Sequence, residues 1–231
     1  MFSQNYKVPY LLCDKYGYLT MRNLVGLMAE VSMIHASKVE KNLDMDKLRW
    51  ILYSWDVEAI KPVRADDEIE ITTVAISMNK FYAYRNCYIK RDGEIVVNAY
   101  GVFLLFDIDK MRPVKMSAKM REIYGTEEQV YFPREIEYRE DYTDSKEIYV
   151  RYTDLDANFH VNNAVYFDYI SDLCELSEKD ISYMNIVYKK EIRNKESVIG
   201  EYGQADDVID FRLRDKDSDL VYTYGKVFLN V

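Results

Sequence analysis

Cysteine, histidine and proline are all scarce in this 231-residue chain, at 3, 2 and 4 residues. Cys13, Cys87 and Cys174 are odd in number and far apart, which excludes a disulfide framework, matches no zinc-ligand spacing and predicts buried free thiols. Long apolar runs are missing too. The longest, 99–106, falls far short of the roughly 20 residues a membrane helix needs, so no such span is expected. The opening Met1-Phe2-Ser3-Gln4-Asn5-Tyr6-Lys7 has no basic stretch leading into an apolar one, and predicts a cytoplasmic protein rather than a secreted one. Positive charge is in deficit: 31 Lys and Arg stand against 40 Asp and Glu, a net charge of -9. No stripe of basic residues interleaved with aromatics offsets that balance, which excludes nucleic acid as a partner. Neither Asp66-Asp67 nor Asp206-Asp207 has the spacing of a cation loop, so no metal or cofactor is called for.

What is present is a folded composition, 48% hydrophobic with charges dispersed and 22 tyrosines, residues favoured on half-buried pleated surfaces. From Thr20, an N-cap candidate, Leu24, Leu27, Met28, Val31 and Ile34 recur at helical spacing, and Val25 and Ala29 widen the stripe, predicting a largely surrounded helix. Period-two patterns follow at 50–60, 68–77, 80–91 and 94–106, with Asp92-Gly93 as a hairpin turn. The order then repeats. Asn162 can cap a helix through Tyr166, Phe167, Tyr169, Ile170 and Leu173, and strands are expected at 185–192, 197–204, 208–214 and 220–229. Helix then strands, twice, indicates a duplicated α+β domain: 1–130 and 146–231, joined by a connector from about 108 that holds a short helix near 117–123.

The densest chemical segment is Asp154-Leu155-Asp156-Ala157-Asn158-Phe159-His160-Val161-Asn162-Asn163-Ala164-Val165-Tyr166. Alternation across Asp154, Asp156, Asn158 and His160 predicts four polar groups on one side of an extended segment ahead of the second helix. Read alone, an Asp-x-Asn-x-His stretch is more often a turn and helix cap. His35 has no acidic motif beside it and reads as a packed side chain. Cys174 falls on the second helix and reads as core.

This segment resembles the signature of the plant and bacterial acyl-acyl carrier protein thioesterases, Asp-Leu-Asp-x-Asn-x-His-Val-Asn-Asn-x-x-Tyr, at every defined position. The likeness extends to the stretch at 50–57 with its following acidic strands, and to Val187-Tyr188-Lys189-Lys190-Glu191-Ile192-Arg193. It implies a tandem (double) hotdog, each half an antiparallel sheet wrapped around a central helix. It also implies hydrolysis of fatty acyl-acyl carrier protein without a cofactor, with Asp156, Asn158, His160 and Glu191 as catalytic residues. Many relatives have Cys where Ile192 stands, which argues against a thiol nucleophile here.

The residues suit that chemistry: hydrolysis of a thioester needs a base for water and donors for the carbonyl, and no covalent intermediate. Glu191 or Asp156 is the expected base, Asn158 and His160 position and donate, and backbone N–H groups near Asn162 and Asn163 complete an oxyanion site. The acyl groove is expected in the N-terminal half, against Leu24, Leu27, Met28 and Val31, with Met33 as flexible lining. The carrier is acidic, so Lys189, Lys190 and Arg193, with Lys195 beside them, are the expected docking residues. An acyl-CoA thioesterase is the alternative within enzymes. A non-catalytic acyl-binding protein could lose the carboxylates, and retention of Asp156 and Glu191 speaks against it. Paired hotdog halves suit a monomer, and open edges leave room for a homodimer.

Overall fold

The computed structural model describes residues 1–125, 131–138 and 140–230. The first half runs β1 (Phe2–Lys7), α1 (Met21–Val39), β2 (Leu48–Ala59), β3 (Glu68–Asn79), β4 (Tyr82–Arg91), β5 (Glu94–Asp107), β6 (Arg112–Pro113) and α2 (Ala118–Tyr124). The second runs β7 (Asp144–Tyr149), α3 (Val165–Cys174), β8 (Ile181–Tyr188), β9 (Ser197–Ala205), β10 (Val208–Arg214) and β11 (Val221–Leu229). Among the described residues all strands join one antiparallel sheet in the order β1-β3-β4-β5-β2-β8-β11-β10-β9-β7, with β6 beside β5. One helix per half packs on that sheet, giving the double hotdog.

Local chemistry explains the predicted elements. Thr20 caps α1 by accepting the Asn23 N–H at 3.3 Å, and Asp92-Gly93 takes φ of 54° and 81°, the left-handed pair a two-residue hairpin turn requires. Gly101 is fixed by Trp55, because a Cβ there would lie 2.9 Å from the indole ring. Three expectations shift. β1 and β7 are additional edge strands, and their polar sequences hide them because an edge buries little of either face. The strand expected at 185–192 spans Ile181–Tyr188 instead. Its end is set by the Lys189 and Lys190 N–H groups, which both turn to the Tyr222 carbonyl and send Glu191 into a loop.

The halves meet where β2 pairs with β8, from Ser54 opposite Val187 to Glu58 opposite Tyr183. Asp56 is buried on this seam and accepts hydrogen bonds from the Tyr183 hydroxyl at 2.7 Å and the Asn185 amide at 2.8 Å. Its pKa is raised by burial, against the opposing pull of those two bonds. Tyr138 donates to Asn185 Oδ1 at 2.7 Å and the Arg134 N–H donates to the Tyr183 hydroxyl at 3.1 Å, so the connector segment crosses the seam and closes its polar network.

Candidate active site

The signature folds as a tight hairpin rather than an extended run. Leu155 bridges Val161, the Asp156 N–H donates to the His160 carbonyl at 2.8 Å, and Phe159 turns the chain at φ 61°. Asp156 organises the turn: its Oδ1 accepts the Asn158 N–H at 2.8 Å and the His160 N–H at 3.3 Å, and its Oδ2 lies 3.4 Å from the Asn158 amide. Turning removes Asp154 from the group. Asp154 is buried, bonded to Arg151 and to the Tyr169 hydroxyl at 2.6 Å. Burial would raise its carboxyl, but those bonds outweigh burial and hold it below the ordinary range.

The loop after β8 carries Glu191 to the same place. His160 Nε2 lies 3.2 Å from Glu191 Oε2, and the Arg193 guanidinium touches both His160 Nε2 and, at 3.3 Å, Glu191 Oε1. Buried Ile192 is the anchor: its carbonyl accepts the Val161 N–H at 3.0 Å and its N–H donates to the Tyr166 hydroxyl at 3.1 Å. Tyr188 packs edge-on against Tyr166 and donates to the Asn163 carbonyl at 2.8 Å. These two hydroxyls tie α3, β8 and the hairpin together. Sequence reasoning missed them, although Tyr166 closes the signature.

The start of α3 also differs from expectation. The N-cap is Ala164, which makes no side-chain cap bond, and Asn162 instead forms a turn by accepting the Ala164 N–H at 2.9 Å. The Asn162 N–H is spent on the Asp154 carbonyl. Among the described residues the Asn163 N–H makes no hydrogen bond, and Asn163 is one of the residues that line the cavity beside the hairpin.

A cavity of about 410 Å³ joins the two halves. Asp156, Asn162 and Asn163 line one end, and its wall follows Val25, Gly26, Ala29, Met33 and Ala36 of α1 to Trp50, Arg85 and Tyr124. From Val25 to Ala36 the helix rises about 16 Å. Of the groove residues expected from sequence, Met33 lines the cavity and the others lie on another stripe. Leu24, Met28 and Val31 are in the core at 4%, 0% and 0% exposure, Leu27 packs against that core, and none of the four lines the cavity. Periodicity marks the most apolar stripe, which packs best, and the emptier stripe beside it faces the cavity. Gly26 carried the signal, since a mid-helix glycine costs about 1 kcal/mol relative to alanine, and a Cβ added there meets nothing within 4 Å.

At the far end Arg85 is buried and donates to Thr73 Oγ1 at 2.8 Å and to His35 Nδ1 at 3.1 Å. Burial, then the Arg85 charge, lowers the His35 pKa to about 4, so this histidine is a neutral packed acceptor. Cys174 packs against the core, and burial pushes its thiol up to about 12, far from a nucleophilic thiolate. Of the basic residues near Glu191, Arg193 is engaged in the site and Lys195 pairs with Asp215. Lys189 and Lys190 are exposed and make no ion pair among the described residues.

Residues 1–124 match the model of the acyl-ACP thioesterase N-terminal domain, and residues 137–224 match that of the acyl-ACP thioesterase C-terminal domain. The chain belongs to the acyl-ACP thioesterase family. A comparison with curated proteins finds no significant sequence match. The thioesterase is similar in fold to an acyl-ACP thioesterase from Bacteroides thetaiotaomicron, at 19% identity and TM-score 0.84, over 99% of this chain and 97% of the other. It is similar to the 12:0-ACP thioesterase from Umbellularia californica at 15% identity and TM-score 0.84, over 99% and 96%. Among the described residues no helix of the thioesterase is long and apolar enough to cross a membrane.

Proposed function

We propose that this thioesterase seats its acyl chain in the cavity along α1 and hydrolyses the thioester by direct attack of water at the end bounded by Asp156, Asn162 and Asn163. Glu191 and Asp156 act together as the base. As the water oxygen bonds to the acyl carbon, its proton passes to a carboxylate, and when the C–S bond breaks that proton is returned to the departing thiolate. His160 relays between Glu191 and the carbonyl, Asn158 steadies Asp156, and the Asn163 N–H receives the developing oxyanion. One observation supports this most directly: Asp156 is at once a wall of the cavity and the organiser of the hairpin that carries Asn158 and His160. No thiol takes part, since Ile192 stands where many relatives have Cys and Cys174 packs against the core.

The acidic carrier docks beside the loop after β8, where exposed Lys189 and Lys190 offer charge that no carboxylate among the described residues neutralises. A cytoplasmic monomer or homodimer suits this work. Free-thiol release from one acyl group carried by acyl carrier protein and by CoA, followed in parallel, tests the assignment. Faster release from the carrier is expected, and indifference to the carrier would remove Lys189 and Lys190 from the docking surface.

A further inference from the structure

The end of the cavity away from the hairpin carries a charge that the protein leaves unanswered. Arg85 is 8% exposed, and among the described residues no carboxylate pairs with it. Its Nη1 donates to Thr73 and to neutral His35, while Nε and Nη2 donate to no described residue. Those two nitrogens are not sealed within the protein either, so they open on the cavity that Arg85 lines. Glu40, at the same end, turns one oxygen to Trp50 Nε1 at 2.6 Å and to the Tyr124 hydroxyl at 2.5 Å, and forms no ion pair with Arg85. A guanidinium taken out of water is costly to leave without an anion.

The strand register keeps space open around it. Arg85 stands opposite Ala75 on β3 and Gly101 on β5, and Gly101 stands opposite Trp55 on β2, so the four share one face of the sheet. Arg85 is therefore flanked by the two smallest residue types. The Trp55 ring covers Gly101, and Trp55 lines the same cavity with a buried indole N–H that meets no acceptor. This wall is rich in donors and short of acceptors. A chain that ends in methyl leaves the guanidinium as it is. A chain that ends in an acceptor oxygen meets it, and a carboxylate does so best, through two parallel bonds to Nε and Nη2.

We propose that Arg85 reads the distal end of the acyl group, and that the thioesterase takes acyl chains carrying an acceptor oxygen there, a carboxylate above all. The inference rests on the seating of the acyl chain along α1 proposed above. It concerns binding alone: the thioester is cleaved at the opposite end of the cavity, and no bond changes at Arg85.

The test uses thioesters of acyl carrier protein whose acyl groups end in methyl, hydroxyl or carboxylate, matched in length over a series, with wild type, Arg85→Met and Arg85→Lys. At the length that reaches Arg85, kcat/KM in wild type should favour carboxylate over methyl by about tenfold or more, the worth of a charge-assisted hydrogen bond, with hydroxyl between. Arg85→Met should lose most of that preference and Arg85→Lys should keep part of it. An Arg85 that only holds Thr73 and His35 in place would give wild type no such preference. Equal handling of the three ends at every length, or a preference for methyl, overturns the inference and leaves the hydrolase assignment intact. So does an undiminished carboxylate preference in Arg85→Met or, should a melting curve show that variant unfolded, in Arg85→Lys. No hydrolysis of any thioester, or a length profile that ignores Gly26→Leu, overturns the reading of the site instead. The inference is then decided by calorimetry with free monocarboxylic and dicarboxylic acids of equal length, where wild type should bind the diacid about tenfold more tightly and equal binding overturns it.

Discussion

The Tyr166 hydroxyl accepts the Ile192 N–H at 3.1 Å, joining the last residue of the signature to the loop that carries Glu191. Ile192 is buried, so removing its acceptor leaves an N–H without a partner, at about 1–3 kcal/mol. Tyr166→Phe is expected to lower kcat by about tenfold through a displaced Glu191, with KM nearly unchanged. Steady-state kinetics with a melting curve checks this, and unchanged kcat alongside lowered stability would limit Tyr166 to a structural role.

Gly26 and Met28 separate the cavity from the core. Gly26→Leu fills open space and replaces a poor helix former, so the fold should hold while the preferred acyl chain becomes shorter. Met28→Ala empties a fully buried site, which should cost about 2–5 kcal/mol and leave the chain-length profile as it was. Product profiles over a series of acyl lengths, paired with denaturant unfolding, distinguish the two. A profile that follows Met28 rather than Gly26 would return the groove to the stripe favoured by sequence periodicity.

The duplicated order of helix and strands was legible because each half buries one face of its sheet, which writes period two into the chain, and one helix, which writes period 3.6. The edge strands Phe2–Lys7 and Asp144–Tyr149 were not, since their backbone pairs with a neighbour while little of either face is covered. Asp156, Asn158, His160 and Glu191 do gather in space as the motif suggested. Asp154 does not, because the turn closed by Asp156 points it at Arg151 and Tyr169. The cavity stripe of α1 was only partly visible: Val25 and Ala29 widen the apolar stripe and Met33 was expected as lining, but Gly26, facing open space, leaves no periodic trace beside Leu24, Met28 and Val31.

His35 makes stability pH-dependent. Its folded pKa of about 4 lies below the ordinary 6.5, so as pH falls between those values the unfolded chain takes up a proton that the folded chain refuses. Stability conferred by the neutral ring is complete above 6.5 and falls by about 3 kcal/mol as pH drops towards 4. His35→Gln keeps an acceptor for Arg85 and does not titrate. Unfolding followed from about pH 7 to about pH 4.5 should show a shallower loss in the variant, and parallel curves would mean that His35 titrates alike in both states.

The water-attack mechanism is tested most directly by the rate of carrier release in Glu191→Gln, with Asp156→Asn and Cys174→Ala beside it and rapid-quench mass spectrometry on each. Loss of one base should lower kcat by about 10²- to 10⁴-fold in the two carboxylate variants while KM stays close to wild type. Cys174→Ala should turn over normally, and no acyl group should be found on the protein at any time point. Near-normal turnover in Glu191→Gln, or a trapped acyl-enzyme, would contradict it.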